Sequence, residues 1–227
     1  SKHFQELHQE PKIWSSSTLY TAEMKASRRA WFADWLSENK TFQQQEIINF
    51  QTSTNKGTPE TSLKMKRNFV ETVSLPLTFE SSSLTYTFNN FDGGVATVVN
   101  NPQSTGTNTS AKVGRMVKNA GQIWGGSWIG LAAPIDFSTK KTFKVKVFSP
   151  RVGAKLLLKV ENQNDGGISF EKEVTTTVAG AWETLTFDYS AINTARTYQK
   201  IVLIFDLGTV GDGSANFTFL FDDITLN

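Results

Sequence analysis

The chain of 227 residues contains no cysteine. That excludes disulfides, thiolate metal sites and cysteine nucleophiles. Histidine is nearly absent too: His3 and His8 are the only two. A histidine-based metal site or catalytic triad is therefore excluded from everything beyond the first few residues. No apolar run approaches the roughly 18 residues of a membrane-spanning helix. The opening Ser1-Lys-His-Phe4 carries no signal-peptide hydrophobic stretch. An excess of either charge is also missing, the formal net charge being +2. Residues 1–74 hold ten basic and eight acidic side chains, and residues 75–227 hold thirteen of each. Neither part has the basic surplus of a nucleic-acid binder. The lack of disulfides does not exclude secretion, because a domain of about 150 residues buries enough surface to be stable without them.

Two segments of different pattern remain. Residues 1–74 read as helical. Thr21 caps a predicted helix over residues 22–36, in which Met24, Trp31, Phe32, Trp35 and Leu36 recur at three-to-four spacing. Thr41 and Gln44 suggest a capping box for a second helix with Ile47, Ile48 and Phe50 inward. Loop-forming residues follow from Thr52 to Pro59. The segment is too aromatic for a mere linker, and reads as a two-helix appendage or the tail of a preceding domain.

From residue 75 the apolar pattern switches to period two. Strands are predicted over 75–80, 84–91, 94–100, 111–119, 122–132, 141–149, 154–162, 168–176, 182–189, 199–206 and 216–226. Turn signals such as Asp92-Gly-Gly94, Asn164-Asp-Gly-Gly167 and Gly211-Asp-Gly213 separate them. Many short strands without intervening helices mean a sandwich or barrel. No internal repeat is present, which argues against a propeller or solenoid.

Residues 75–227 also carry strings that resemble a jelly-roll carbohydrate-binding module. They include Leu77-Thr-Phe-Glu80, Phe143-Lys-Val-Lys-Val-Phe148, Leu157-Leu-Lys-Val-Glu161, Trp182-Glu-Thr-Leu-Thr-Phe-Asp188 and Phe221-Asp-Asp-Ile224. The likeness is nearest to modules appended to polysaccharide-degrading enzymes and surface proteins of marine Bacteroidetes. It implies a mainly β chain, a jelly-roll β-sandwich with an N-terminal helical segment. It implies non-catalytic polysaccharide binding, a β-glucan such as laminarin being the expected ligand. It implies secretion or display at the cell surface, with a catalytic or anchoring domain of a larger chain as partner. Many such modules hold a structural Ca2+.

Two residue sets are candidates for those roles. Glu80 and either Asp222 or Asp223 meet if the first and last strands are neighbours. Close carboxylates repel unless a cation or proton intervenes. Asp222 shares parity with Leu220 and Ile224, so it points away from Asp223 and must be compensated by a metal, a lysine or a backbone donor. For the glycan, a sugar needs an aromatic plane and directed hydrogen bonds. Trp124 and Trp128 share one parity on the predicted strand, roughly 13 Å apart, with Gly126 leaving the space between them open. Ile129 and Leu131 place the core on the other side. Lys146, Lys159, Glu161, Glu171 and Asp206 are candidates to line a groove around Trp124. The same residues equally suit a cross-strand charge ladder. Glu161, Glu171 and Asp206 would also be the carboxylates of a glycan-active enzyme, although no acid cluster with a recognisable motif accompanies them. An adhesion domain using its exposed aromatics on another protein is the remaining class.

Overall fold

The computed structural model describes residues 46–52 and 63–227, the first two strands by backbone alone. The chain divides into two compact units, Ser1–Phe69 and Val70–Asn227. In the first, β1 (Glu46–Thr52) and β2 (Leu63–Phe69) form an antiparallel pair with Glu46 opposite Phe69. The second predicted helix therefore falls on a strand. Ile47, Ile48 and Phe50 are β-branched or aromatic and favour a pleated ladder once a partner exists. The partner is residues 63–69, where a pattern confined to one segment does not reach. The helix expected over 22–36 lies outside the described residues.

The second unit is a sandwich of two five-stranded antiparallel sheets. The first sheet has the order β10-β7-β12-β5-β4. It consists of β10 (Trp182–Asp188), β7 (Thr142–Phe148), β12 (Thr218–Leu226), β5 (Lys112–Lys118) and β4 (Gly94–Asn100). The second has the order β3-β6-β11-β8-β9. It consists of β3 (Phe88–Phe91), β6 (Gly126–Gly130), β11 (Lys200–Phe205), β8 (Lys155–Glu161) and β9 (Ser169–Thr175). All but two of the chain-consecutive strand pairs in the sandwich change sheet, and only β4–β5 and β8–β9 run on within one.

Alternation fixes which side of each strand is buried. In β7, Phe143, Val145 and Val147 face the core while Lys144 and Lys146 face out. Aromatic rings fill the space between sheets: Phe79, Phe143, Phe187, Phe205, Phe219 and Phe221 are all fully buried. Phe205 of β11 stacks on Phe219 of β12 with ring centroids 4.4 Å apart, joining the two sheets.

Three predicted strands are shorter than the pattern suggested. Residues 75–80 contribute only a bridge, in which Leu77 N donates to Ile224 O and Ile224 N to Leu77 O, both at 3.0 Å. Phe79 has φ +59, a left-handed conformation that breaks the strand while turning its ring into the core. The strand expected at 84–91 begins at Phe88, and that expected at 122–132 spans Gly126–Gly130. In β12 the register against β7 shifts between Asp222 and Thr225, with Asp223 at φ +46. This bulge returns Ile224 to the core beside Phe221. The shared parity of Asp222 and Ile224 expected from simple alternation is thereby broken.

Candidate functional site

The outward face of the second sheet gathers four of the predicted binding residues. Register aligns Asn89, Trp128, Val202, Lys159 and Glu171 in one row across β3, β6, β11, β8 and β9. The adjacent row holds Gly130, Lys200, Glu161 and Ser169. At about 4.8 Å per strand, Trp128 to Glu171 spans about 14 Å, the reach of a short oligosaccharide. The face is more than a charge ladder. Leu157, Val202 and Ile204 form a small apolar cluster there, with Phe91, Trp128 and Leu207 packed against it. Trp128 is half-buried on this floor, and the Lys200 ammonium lies 4.5 Å from its ring centroid. Lys159 Nζ pairs with Glu161 Oε1 at 2.9 Å, and Lys155 with Glu173 at 3.3 Å. Asn89 and Lys200 were not among the sequence candidates. Neither has a pattern of its own, and strand pairing alone puts them beside Trp128.

Trp124 is elsewhere. It lies in a turn before β6, closed by Gly125 N donating to Gln122 O at 3.0 Å. The space above Gly126 is not open: a Cβ there would meet Leu203 O at 2.5 Å, Ile204 Cγ1 at 2.8 Å and Phe91 Cζ at 2.9 Å. The two indoles therefore do not share one open strand face, and the groove residues surround Trp128 rather than Trp124. Trp124 is 46% exposed, and its Nε1 donates to Asp92 Oδ2 at 2.7 Å.

Two further candidates leave the glycan set. Lys146 lies on β7 in the other sheet, where its Nζ pairs with Asp223 Oδ2 at 2.7 Å. Asp206 is buried at the end of β11. It pairs with Arg151, and its Oδ1 accepts the Lys155 backbone N–H at 3.0 Å. An acid after an apolar strand reads as a groove residue in sequence, but only Arg151, distant in the chain, shows that it closes the strand end.

The proposed cation ligands also divide. The loop between β4 and β5 folds over the outer side of the first sheet, where the Trp182 indole donates to Gln103 O at 2.7 Å. Beneath it Asp222 is fully buried; its Oδ2 accepts from Asn108 Nδ2 at 2.9 Å, and its Oδ1 has no partner. Burial pushes the Asp222 carboxyl up to about 6, partly opposed by the Asn108 hydrogen bond. Glu80 lies at the start of β5, its Oε1 accepting Lys112 N–H at 2.7 Å. Asp223 is turned away by the bulge and paired with Lys146. A hard cation would fit Asp222, whose buried Oδ1 is in want of a positive partner. It does not fit Asp223. Among the described residues no three His, Cys, Asp or Glu side chains cluster.

One buried cation was not foreseen. Lys118 is fully buried, its Nζ donating to Phe205 O and Asp206 O at 2.7 Å and to Ile123 O at 3.0 Å. Burial lowers its amine to about 8. In sequence Lys118 is one more alternating residue at the end of a strand.

No family model matches the chain, and no curated protein matches it. Solved structures do. An exo-β-agarase matches with a TM-score of 0.50 and 15% identity, over 66% of this chain and 24% of that one. A family 11 carbohydrate-binding module from Clostridium thermocellum, in complex with a β-1,3-1,4-mixed-linked tetrasaccharide, gives a TM-score of 0.46 and 11% identity, over 64% and 89%. The CBM22-1–GH10 portion of xylanase 10B from the same organism gives 0.44 and 14%, over 70% and 28%. The chain spans about a quarter of the agarase and xylanase chains and most of the isolated module. At these identities the likeness is one of fold, a β-sandwich.

Proposed function

We propose that residues 75–227 form a jelly-roll carbohydrate-binding module that holds a polysaccharide without cleaving it. The supporting observation is the outward face of the second sheet. There the half-buried Trp128 lies on an apolar floor within one row of Asn89, Val202, Lys159 and Glu171. An indole gives the C–H face of a sugar a flat apolar surface, and the amide and charged groups beside it suit hydroxyls. The ligand is a neutral or weakly charged glycan, a β-glucan of the laminarin type. Glu161 and Asp206 are held by Lys159 and Arg151, which favours binding over acid–base chemistry by either of them. The module works outside the cell or at its surface, beside a catalytic or anchoring domain of a larger chain. A calcium ion belongs at Asp222, where it would neutralise the buried carboxylate and pin the β4–β5 loop.

Native gel electrophoresis of the full chain through laminarin tests the binding reading. The wild type is retarded, Trp128→Ala is retarded markedly less, and reducing ends do not accumulate. Unretarded wild-type protein across laminarin, xylan, mannan and agarose would sink the proposal.

A further inference from the structure

A second chemistry-bearing region lies at one end of the sandwich, where the β3–β4 turn, the β5–β6 loop and the β11–β12 loop meet. Among the described residues of the second unit, Trp124 is the only exposed aromatic residue. It is also the only tryptophan there that packs into none of the apolar clusters. Its ring is not free to swing. Nε1 is fixed on Asp92 Oδ2 at 2.7 Å, and Asp92 itself sits at φ +50 with its carbonyl accepting Gln122 N–H at 3.0 Å. The turn is held from beneath as well. Ile123 O accepts both Lys118 Nζ at 3.0 Å and Gly208 N at 3.1 Å, so one carbonyl next to Trp124 ties it to the end of β11. Gly125 is packed on the Asp92 backbone so closely that any side chain would displace it. An exposed indole usually gains by moving; this one is anchored by two loops and an internal ammonium, so ordering it on binding costs little.

From this geometry we propose that the Trp124 turn is a second sugar-binding site, separate from the Trp128 face, which takes one uncharged pyranose ring. This rests on the glycan-binding reading of the sheet face. The indole receives the C–H face of the ring. Asp92, exposed and with one oxygen used by the indole, accepts a sugar hydroxyl. Its negative charge disfavours uronic or sulfated rings. Phe91 and Ile204 fill the space above Gly126 between the two tryptophans, which prevents one continuous track along the strand. Only one ring fits because Trp124 stands alone, with the exposed aliphatic Ile123 next to it in the chain. Two sites on one module let it bridge two glycan chains or grip one chain twice, gaining avidity without new contacts.

Isothermal titration of the full chain with laminarihexaose, xylohexaose, mannohexaose and neoagarohexaose tests this. The wild type binds two molecules per chain of whichever sugar it accepts. Trp124→Ala binds one, Trp128→Ala binds the other, and both variants keep the wild-type melting temperature within a few degrees. Asp92→Asn retains the neutral sugar and narrows the preference for it over a glucuronic-acid-bearing oligosaccharide at least threefold. One molecule per wild-type chain, lost in Trp128→Ala and unaffected by Trp124→Ala, overturns the second site and leaves the function standing. Loss of all binding in either single variant overturns the separation into two sites. A wild type that binds none of the four sugars overturns the function and the second site together.

Discussion

Two buried ionisable residues carry the sharpest consequences for single side chains. Asp222 is raised from 3.8 to about 6 by burial, so the folded state holds its proton more tightly than the unfolded chain. Its charge is therefore a destabilising contribution present above about pH 6 and relieved as pH falls from 6 toward 3.8. In chelator, the melting temperature should rise between pH 7 and pH 5, and Asp222→Asn should remove that rise. Added calcium should raise it at pH 7 in the wild type alone. Equal calcium responses in the wild type and Asp222→Asn would remove Asp222 from the metal site. Lys118 runs the other way. Its folded value of about 8 lies below the ordinary 10.5, so its charge is costly below pH 8 and the cost fades as pH rises toward 10.5. Lys118→Met leaves three carbonyls without their donor and should cost about 2–3 kcal/mol at pH 7. Denaturant unfolding at pH 7 and pH 10 measures both parts. The wild type should gain stability over that interval relative to the variant, and an unchanged difference would show that folding leaves the Lys118 amine at its ordinary value, charged throughout.

Strands were easier to place than their consequences. The alternation in β7 and around Leu185 and Phe187 of β10 is plain in the sequence, because one face there meets the common core and the other does not. The two errors of most functional weight arose where backbone geometry leaves ideal repetition. A turn before β6 removed Trp124 from the strand face, and a bulge in β12 took Ile224 off the side of Asp222 and sent it inward. Both depend on close contacts with distant segments, as Gly126 illustrates. Its absent side chain reads as an opening in sequence, yet Phe91 and Ile204 occupy the space. The N-terminal segment shows the same limit in another form: a helical pattern around Ile47, Ile48 and Phe50 gave way to a hairpin supplied by residues 63–69.

For the whole sandwich, stability rests on aromatic contact between sheets, with Phe205 on Phe219 at its centre. Phe205→Ala should cost about 3–5 kcal/mol, read as a shift of the denaturant midpoint, whereas the exposed Trp124→Ala should leave the midpoint nearly unchanged. A comparable loss in both would mean that Trp124 is a packing residue. The sequence by itself determined that this is a mainly β chain without cysteine or histidine chemistry beyond its N-terminal edge, because period-two burial and composition are local properties. Whether the first and last strands of the β-module are neighbours stayed open in the sequence, and the bridge between Leu77 and Ile224 answers it. The tertiary structure alone decided which side chains share a surface. Trp128, Lys159, Glu161 and Glu171 come together because four strands from separate parts of the chain align in register. Lys146 and Asp206 are drawn off to Asp223 and Arg151 for the same reason: neighbourhood across a sheet is set by pairing and twist of distant segments, which no single stretch of sequence encodes.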